Sequence, residues 1–340
     1  MFTAFQNMIG GRPDIAIDFG TSQTTIVDQD GTIVFNEPSI CCFNGNHRGS
    51  ALVAAGTEAK RYLGRVESGL TVSRPMRNGV LSDIRAASEL LKYATRDLGP
   101  SWTLRRLRSL IGVPADATQA ERRALENAAL DAGMAKPILI AEPLVAAIGA
   151  SLEVEDAHGR MVVECGAGIT EAVVISLGGI CVRRSSRGGG EELDRALADH
   201  LRSKHRFRIG PASAERLKVA VSTAFTVGGE CVVRISGLDL ASGRPKTFEF
   251  SVSDALPIWT KYVDRVVGIV KAAMRDTPPE LSRDILKDGL ILTGGAAFTG
   301  RLRETLAAAV GVTVHVAPQA TSATGLGLGL ALNTNRYKAL

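Results

Sequence analysis

One device occurs twice in this chain, and it limits the possible folds more than any other feature. Near the start, Ile15-Ala16-Ile17 reads as a short strand running into Asp18-Phe19-Gly20-Thr21. A second strand, Thr24 to Val27, turns at Asp30-Gly31 into a third, Thr32 to Phe35. Apolar runs joined by a Gly-containing turn are a hairpin signature. At Met161-Val162-Val163 the same order restarts. A strand enters Glu164-Cys165-Gly166-Ala167-Gly168-Ile169-Thr170, continues as Ala172 to Ser176, and turns at Gly178-Gly179 into Ile180 to Arg183. Asp18 and Glu164 hold equivalent places. Such a repeat divides the chain near residue 150 and implies two halves of like construction.

Between the two hairpins, strands and helices alternate. Residues 81–97 have helical spacing, and Leu110 to Val113 is a strand stopped by Pro114. Thr118 and Glu121 are spaced as a capping box for an Ala-rich helix that Gly133 ends. Ile138 to Ile140 leads into Glu142-Pro143, with Pro143 in the first turn of the next helix. Alternation of this kind predicts an α/β fold. At 340 residues the chain is too long for one simple core, so two lobes are expected.

Composition removes other classes. With 45% hydrophobic and 22% charged residues, the chain is neither disordered nor collagen-like nor a coiled coil. The net charge of +5 is scattered and reads as solvated faces rather than a nucleic-acid patch, although an anionic membrane leaflet stays open as a partner. The five cysteines have no CxxC spacing and read as buried thiols in a reducing cytoplasm. No apolar run reaches the roughly 18 residues of a membrane span. The five histidines lack any ligand spacing, so no zinc site is expected.

A turn poor in side chains exposes backbone N–H groups, and several aimed at one point form an anion nest. Thr21, Ser22 and Thr24 add hydroxyls to the first turn and Thr170 to the second. Two such turns facing one another across a cleft would grip a polyphosphate. Asp18 and Glu164 repel phosphate directly but suit a Mg²⁺ ion held through water. Asp18-Phe19-Gly20 is no kinase motif, because no His-Arg-Asp loop accompanies it. A third turn, Leu292-Thr293-Gly294-Gly295-Ala296-Ala297, follows a strand and allows a flat base and ribose to approach the backbone. Glu215 and Lys218, on a helix starting near Ser213, either contact a ribose or pair with each other in solvent.

Taken in order and spacing, these residues resemble the MreB/Mbl family of bacterial actins. The resemblance rests on Ile17-Asp18-Phe19-Gly20-Thr21, Asn36-Glu37-Pro38-Ser39, Arg74-Pro75-Met76-Arg77-Asn78-Gly79-Val80 and Glu121-Arg122-Arg123. It continues through Glu142-Pro143, Ala146-Ala147-Ile148-Gly149-Ala150, Ile175 to Ile180, Ala214 to Lys218 and Leu292 to Gly295, spanning about residues 13 to 332. It implies the actin-like ATPase fold, two lobes each with a duplicated ribonuclease H-like core and a smaller subdomain. Lobe I would be 1–150, with its small subdomain at about 33–75 and the C-terminal 316–340 added. Lobe II would be 151–315, with its small subdomain at about 184–250.

The resemblance also implies ATP or ADP with Mg²⁺. Asp18, Gly20, Thr21 and Ser22 would form the first phosphate loop; Gly166, Ala167, Gly168 and Ile169 would form the second. Glu215 and Lys218 would flank ribose and base, with Gly294, Gly295 and Ala296 on the nucleotide's other side. Asp18 and Glu164 would hold the metal through water, and Glu142 would be the catalytic residue orienting the attacking water. It implies self-assembly into paired antiparallel protofilaments at the inner membrane surface, with Met1–Ile9 as an amphipathic contact, and cell-wall elongation proteins or another MreB as partners. No direct nucleic-acid partner is expected.

The departures point to weak ATPase activity. Where the family's second loop usually reads Asp-(Ile)-Gly-Gly-Gly-Thr-Thr, this chain has Glu164, Ala167 and Ile169. Ile169 can neither donate nor accept a hydrogen bond near the attacking water. The resulting expectation is a divergent cytoskeletal protein of cell shape with slow hydrolysis. The alternatives are a filament regulator of negligible turnover that copolymerises with a conventional MreB and, less favoured and in another class, a chaperone of the seventy-kilodalton heat-shock type, for which this sequence offers little length for a substrate domain after the nucleotide lobes. The segment Met1 to Gly11 is open to other readings, a tail or a piece packed on its own lobe.

Overall fold

The computed structural model describes residues 13–45, 50–65, 68–98, 106–227 and 232–334. Met1–Ile9, expected from the sequence to be an amphipathic membrane contact, lies outside them. The described chain contains two compact units, one of residues up to Lys60, Gly69–Glu153 and Ser322 onward, the other of Arg61–Ser68 and Val154–Thr321.

The first unit begins with β1 (Ile15–Phe19), β2 (Gln23–Asp28), β3 (Ile33–Pro38), β4 (Cys41–Asn44) and β5 (Ala51–Ala55). The short helix α1 (Gly56–Lys60), β6 (Leu70–Ser73), β7 (Met76–Arg77), β8 (Val80–Leu81) and α2 (Ile84–Thr95) follow. It continues with β9 (Ser109–Val113), α3 (Gln119–Asp131), β10 (Ile138–Ala141) and α4 (Glu142–Gly149). Its main sheet runs in the order β10-β9-β1-β2-β3, and β5-β4-β6 form a smaller sheet.

The local rules that place these elements are visible. The Asp83 carboxylate caps α2 by accepting from the Ala86 amide at 3.0 Å. Thr118 and Glu121 form the expected capping box on α3. Alternation along β1 divides the core into two layers. Ile15, Ile17 and Phe19 enter one apolar cluster with Leu90, Leu91 and Ile111. Ala16 enters the other, with Leu110, Ile140, Val145 and Leu328. By the two-residue period Asp18 shares the face of Ala16. The buried Asp14 accepts from the backbone of Arg108 at 2.9 Å and from its guanidinium at 3.1 Å, which ties β1 to β9.

The second unit holds β11 (Arg160–Cys165), β12 (Ile169–Ser176), β13 (Gly179–Arg187), α5 (Gly190–His205) and β14 (Phe207–Arg208). Next come α6 (Pro211–Val227), β15 (Val232–Asp239), β16 (Pro245–Ser251), α7 (Leu256–Arg275), α8 (Pro279–Asp288), β17 (Leu290–Thr293), α9 (Leu302–Val310) and β18 (Val314–Val316). The last helix, α10 (Ala323–Thr334), belongs to the first unit. There Gly327 and Gly149 let α10 and α4 touch backbone to backbone. A Cβ on Gly327 would lie 1.7 Å from the Val145 oxygen, and one on Gly149 would lie 1.9 Å from the Ala323 oxygen.

The second main sheet has the order β13-β12-β11-β17-β18. It repeats the first strand for strand: three antiparallel strands, then two added in parallel. One turn differs from expectation. Ser176 pairs with Gly179, so the turn residues are Leu177 and Gly178, both at positive φ (52° and 68°), and Gly179 opens β13. Two central residues at positive φ match the right-handed twist of the hairpin, and Leu177 accepts that conformation on the surface at 65% exposure. Cys41, Cys42 and Cys165 are buried as expected, whereas Cys181 is exposed on β13; Cys231 lies outside the described residues.

Candidate functional site

The two hairpin turns are built alike down to single hydrogen bonds. In the first, the Gly20 amide donates to the Gln23 oxygen at 3.0 Å; in the second, the Gly166 amide donates to the Ile169 oxygen at 2.9 Å. Glycine is required at both places for close approach, because a Cβ would lie 2.8 Å and 3.0 Å from those oxygens. This register matches Asp18 with Glu164, Thr21 with Ala167, Ser22 with Gly168, and Gln23 with Ile169. It also pairs Thr24 with Thr170. Both threonines are fully buried, and each ties its hairpin to the residue just beyond the third strand. Thr24 Oγ1 bonds to Ser39 Oγ at 2.8 Å, and Thr170 Oγ1 donates to the Gly188 oxygen at 3.3 Å.

The carbonyls of the turns face that same segment. Ser39 donates through Oγ to the Gly20 oxygen at 2.6 Å and through its amide to the Ser22 oxygen at 3.0 Å. In the second turn, the oxygens of Gly166, Ala167 and Gly168 accept from the amides of Gly190, Glu191 and Gly188 at 3.0, 2.9 and 2.8 Å. With the carbonyls satisfied from one side, the amides of Thr21, Ser22, Ala167 and Gly168 donate to no acceptor among the described residues. That is the donor arrangement of an anion nest. Thr21 Oγ1 accepts from the Gly79 amide at 3.1 Å and keeps its own proton to donate.

The carboxylates behave differently on the two units. Burial at the end of β1 pushes the Asp18 carboxyl up to about 7. Glu164, 7% exposed, pairs across strands with Glu171, 1% exposed. Both Asp18 and Glu164 offer only oxygen donors, the chemistry that Mg²⁺ takes, so the residues present fit that ion. Glu142 opens α4 beside Gly112, where a Cβ would come within 3.0 Å of its Cγ. Ala141 at the cap supplies no side-chain bond, and Pro143 stands in the first turn.

The second unit gathers most of the remaining predicted residues around Gly190. A Cβ there would meet Lys218 Nζ at 3.5 Å, Ala296 Cβ at 3.8 Å and Ala167 Cα at 4.0 Å. Gly294, at φ +82°, packs on the end of β11, where a Cβ would lie 2.3 Å from the Cys165 oxygen. Gly295 starts the 3-10 turn that carries Ala296, and nothing lies within 4 Å of where its Cβ would be. Helix α6 starts at Pro211 and carries both Glu215 and Lys218. Lys218 Nζ donates to Asp194 Oδ2 at 3.0 Å and to the Gly190 oxygen at 3.2 Å, which holds its ammonium against α5.

Sequence reasoning missed Gly188, Gly189 and Asp194. Gly189 is the tightest contact of the second turn, since a Cβ would lie 2.2 Å from the Gly166 oxygen. The run Gly188-Gly189-Gly190 opening an acidic first helical turn was the available signal.

A family model described as MreB/Mbl protein matches residues 12–339. The cell shape-determining protein MreB of Escherichia coli (strain K12) is 36% identical over 335 residues, covering 98% of this chain and 96% of that one. The cell shape-determining protein Mbl of Bacillus subtilis (strain 168) is 33% identical over 320 residues, covering 94% and 96%. Among solved structures, MreB 5 of Spiroplasma citri bound to AMPPNP matches with a TM-score of 0.88 at 27% identity, covering 96% of this chain and 98% of that one. The same protein bound to ADP matches at 0.87 and 26%, covering 96% and 97%. The MamK double helical filament, 20% identical with a TM-score of 0.72, shares the fold over 93% of this chain and 98% of that one. The fold is therefore the actin-like α/β fold, and the chain belongs to the MreB/Mbl family.

Proposed function

We propose that this protein is a cytoskeletal filament former of the cell-shape class that binds one ATP with Mg²⁺ and hydrolyses it slowly. The observation that carries the reading is the duplicated hairpin with its four unengaged amides. The amides of Thr21 and Ser22 on one unit, and of Ala167 and Gly168 on the other, take phosphate oxygens, with the Thr21 hydroxyl as a further donor. Asp18 and Glu164 would hold a magnesium ion, through water, and that ion would neutralise phosphate charge. Lys218, fixed by Asp194, presents its stem beside the ribose, with Glu215 on the same helix. Gly294, Gly295 and Ala296 leave the base a flat approach.

Glu142 accepts a hydrogen bond from the attacking water and orients it in line with the γ-phosphorus. Ile169 sets the rate. Its apolar side chain, 6% exposed, gives that water no second polar contact. The similarity to a protein solved with AMPPNP and with ADP supports the choice of nucleotide. Filament assembly, contact with the inner membrane surface through Met1–Ile9, and partnership with cell-wall elongation proteins or another MreB belong to the same proposal. Among the described residues no helix is long and apolar enough to cross a membrane, so such contact would be peripheral.

The test combines sedimentation and phosphate release on the full chain with ATP, with ADP and without nucleotide. The expected result is nucleotide-dependent pelleting with phosphate release well below that of the Escherichia coli relative. Pelleting that ignores nucleotide, together with no nucleotide uptake, would refute the reading. Liposome co-sedimentation that survives deletion of Met1–Ile9 would refute the membrane contact.

A further inference from the structure

At the C-terminal end of α5, the second unit brings together three groups with metal-ligand chemistry. His200 and His205 lie on α5, His205 as its last residue, and the chain turns there through Arg206 in the left-handed conformation. Asp254 comes from the 3-10 turn Val252–Ala255 between β16 and α7. One ligand atom from each of the three lies within 4.8 Å of the other two. His205 Nε2 and Asp254 Oδ2 are 3.4 Å apart. Two ligands at tetrahedral angles on zinc, with bonds of about 2.0–2.1 Å, stand about 3.3 Å apart.

The surroundings hold these groups in place and leave their lone pairs available. Both imidazole Nε2 atoms are shielded from solvent and have no hydrogen-bond partner. Buried polar atoms left in that state are uncommon and call for an explanation. Aromatic walls fix the rings: His200 stands edge-on to Phe250 at 6.2 Å, and His205 lies 4.8 Å from Phe248, which rests on Phe207 at 5.3 Å. Lys204 Nζ occupies Asp254 Oδ1 at 2.8 Å, which orients the carboxylate and leaves Oδ2 toward the histidines.

We propose that His200, His205 and Asp254 form a site for a borderline divalent transition metal such as zinc, with a fourth position open to water. Two imidazoles and one carboxylate select zinc or cobalt over magnesium. The ion would clip the end of α5 to the turn that follows β16.

The test is a cobalt(II) titration of untagged, chelator-stripped full-length protein in excess Mg²⁺, which fills oxygen-only sites. The expected result is one cobalt per chain with the intense visible bands of four-coordinate geometry. No sulfur-to-cobalt charge-transfer band should appear, and stoichiometric zinc should displace the ion. H200Q and D254N should each weaken binding by 100-fold or more without changing the circular dichroism, while H315Q, on β18, should bind as wild type. Lack of four-coordinate bands in the unmodified protein overturns the assignment without requiring any variant to fold. A sulfur band overturns it too, and so does binding that survives in both H200Q and D254N.

Discussion

Replacing Asp18 by Asn should stabilise the nucleotide-free protein at alkaline pH while abolishing its response to magnesium nucleotide. Burial raises the Asp18 carboxyl from its ordinary 3.8 to about 7. Between the unfolded value and the folded one, the native state binds the extra proton, so stability falls as pH rises and the whole cost is present above pH 7. At 1.36 kcal/mol for each tenfold change in proton affinity, the rise corresponds to about 4 kcal/mol. Asp18 itself is only half-buried, so solvent screens its charge and reduces the figure to roughly 2 kcal/mol. For a cooperative unit of this size that is about 4–8 °C in Tm.

Asn keeps the shape and carries no charge, so D18N escapes the cost. The assay is thermal unfolding of both proteins with chelator at pH 5.0 and pH 8.5. The two Tm values should lie close together at pH 5.0, with D18N higher at pH 8.5. Adding ATP and Mg²⁺ at pH 8.5 should raise the wild type and leave D18N where it was. If D18N gains nothing between pH 5.0 and pH 8.5 relative to wild type, the carboxylate is not held in a desolvating site. If D18N responds fully to magnesium nucleotide, Asp18 does not serve the metal.

Other perturbations follow from the same geometry. G189A should collapse the second turn, because its Cβ would meet the Gly166 oxygen at 2.2 Å, and calorimetry should find nucleotide affinity reduced by at least tenfold. G327A gains helix propensity worth about 1 kcal/mol but drives a Cβ to 1.7 Å from the Val145 oxygen, so the net effect should be a loss of about 1–3 kcal/mol in denaturant unfolding. I169T restores a hydroxyl beside the attacking water and should speed phosphate release by about 10²-fold; no gain would remove Ile169 as the brake. E142Q should stop phosphate release while leaving nucleotide affinity within about twofold, since a carboxylate that only orients water contributes to the transition state alone.

The parts of this fold written locally in the chain were legible. The hairpin repeat, the Thr118–Glu121 capping box and the Gly133 stop each depend on residues a few positions apart, and the structure has them as read. Hairpin registers were nearly so, but Leu177 took a turn place assigned to Gly179, because a surface leucine tolerates positive φ when its neighbour is Gly178. What could not be read depends on distant partners. Asp194 meets Lys218 across 24 positions, and Asp14 meets Arg108 across 94. His200 and His205 are five apart, a spacing that puts them on different faces of an ideal helix, and only the left-handed end of α5 and a turn 49 residues beyond bring Asp254 to them. No local spacing rule marks such a constellation, which is why the histidines read as inert in sequence.

Isothermal titration calorimetry of the wild-type chain with ATP and Mg²⁺ tests the central claim most directly. One nucleotide per chain, weakened at least tenfold by G189A and lost on D18N, is the result that two matched turns serving a single ligand predict. Two independent nucleotides per chain, none at all, or uptake indifferent to either substitution would contradict it.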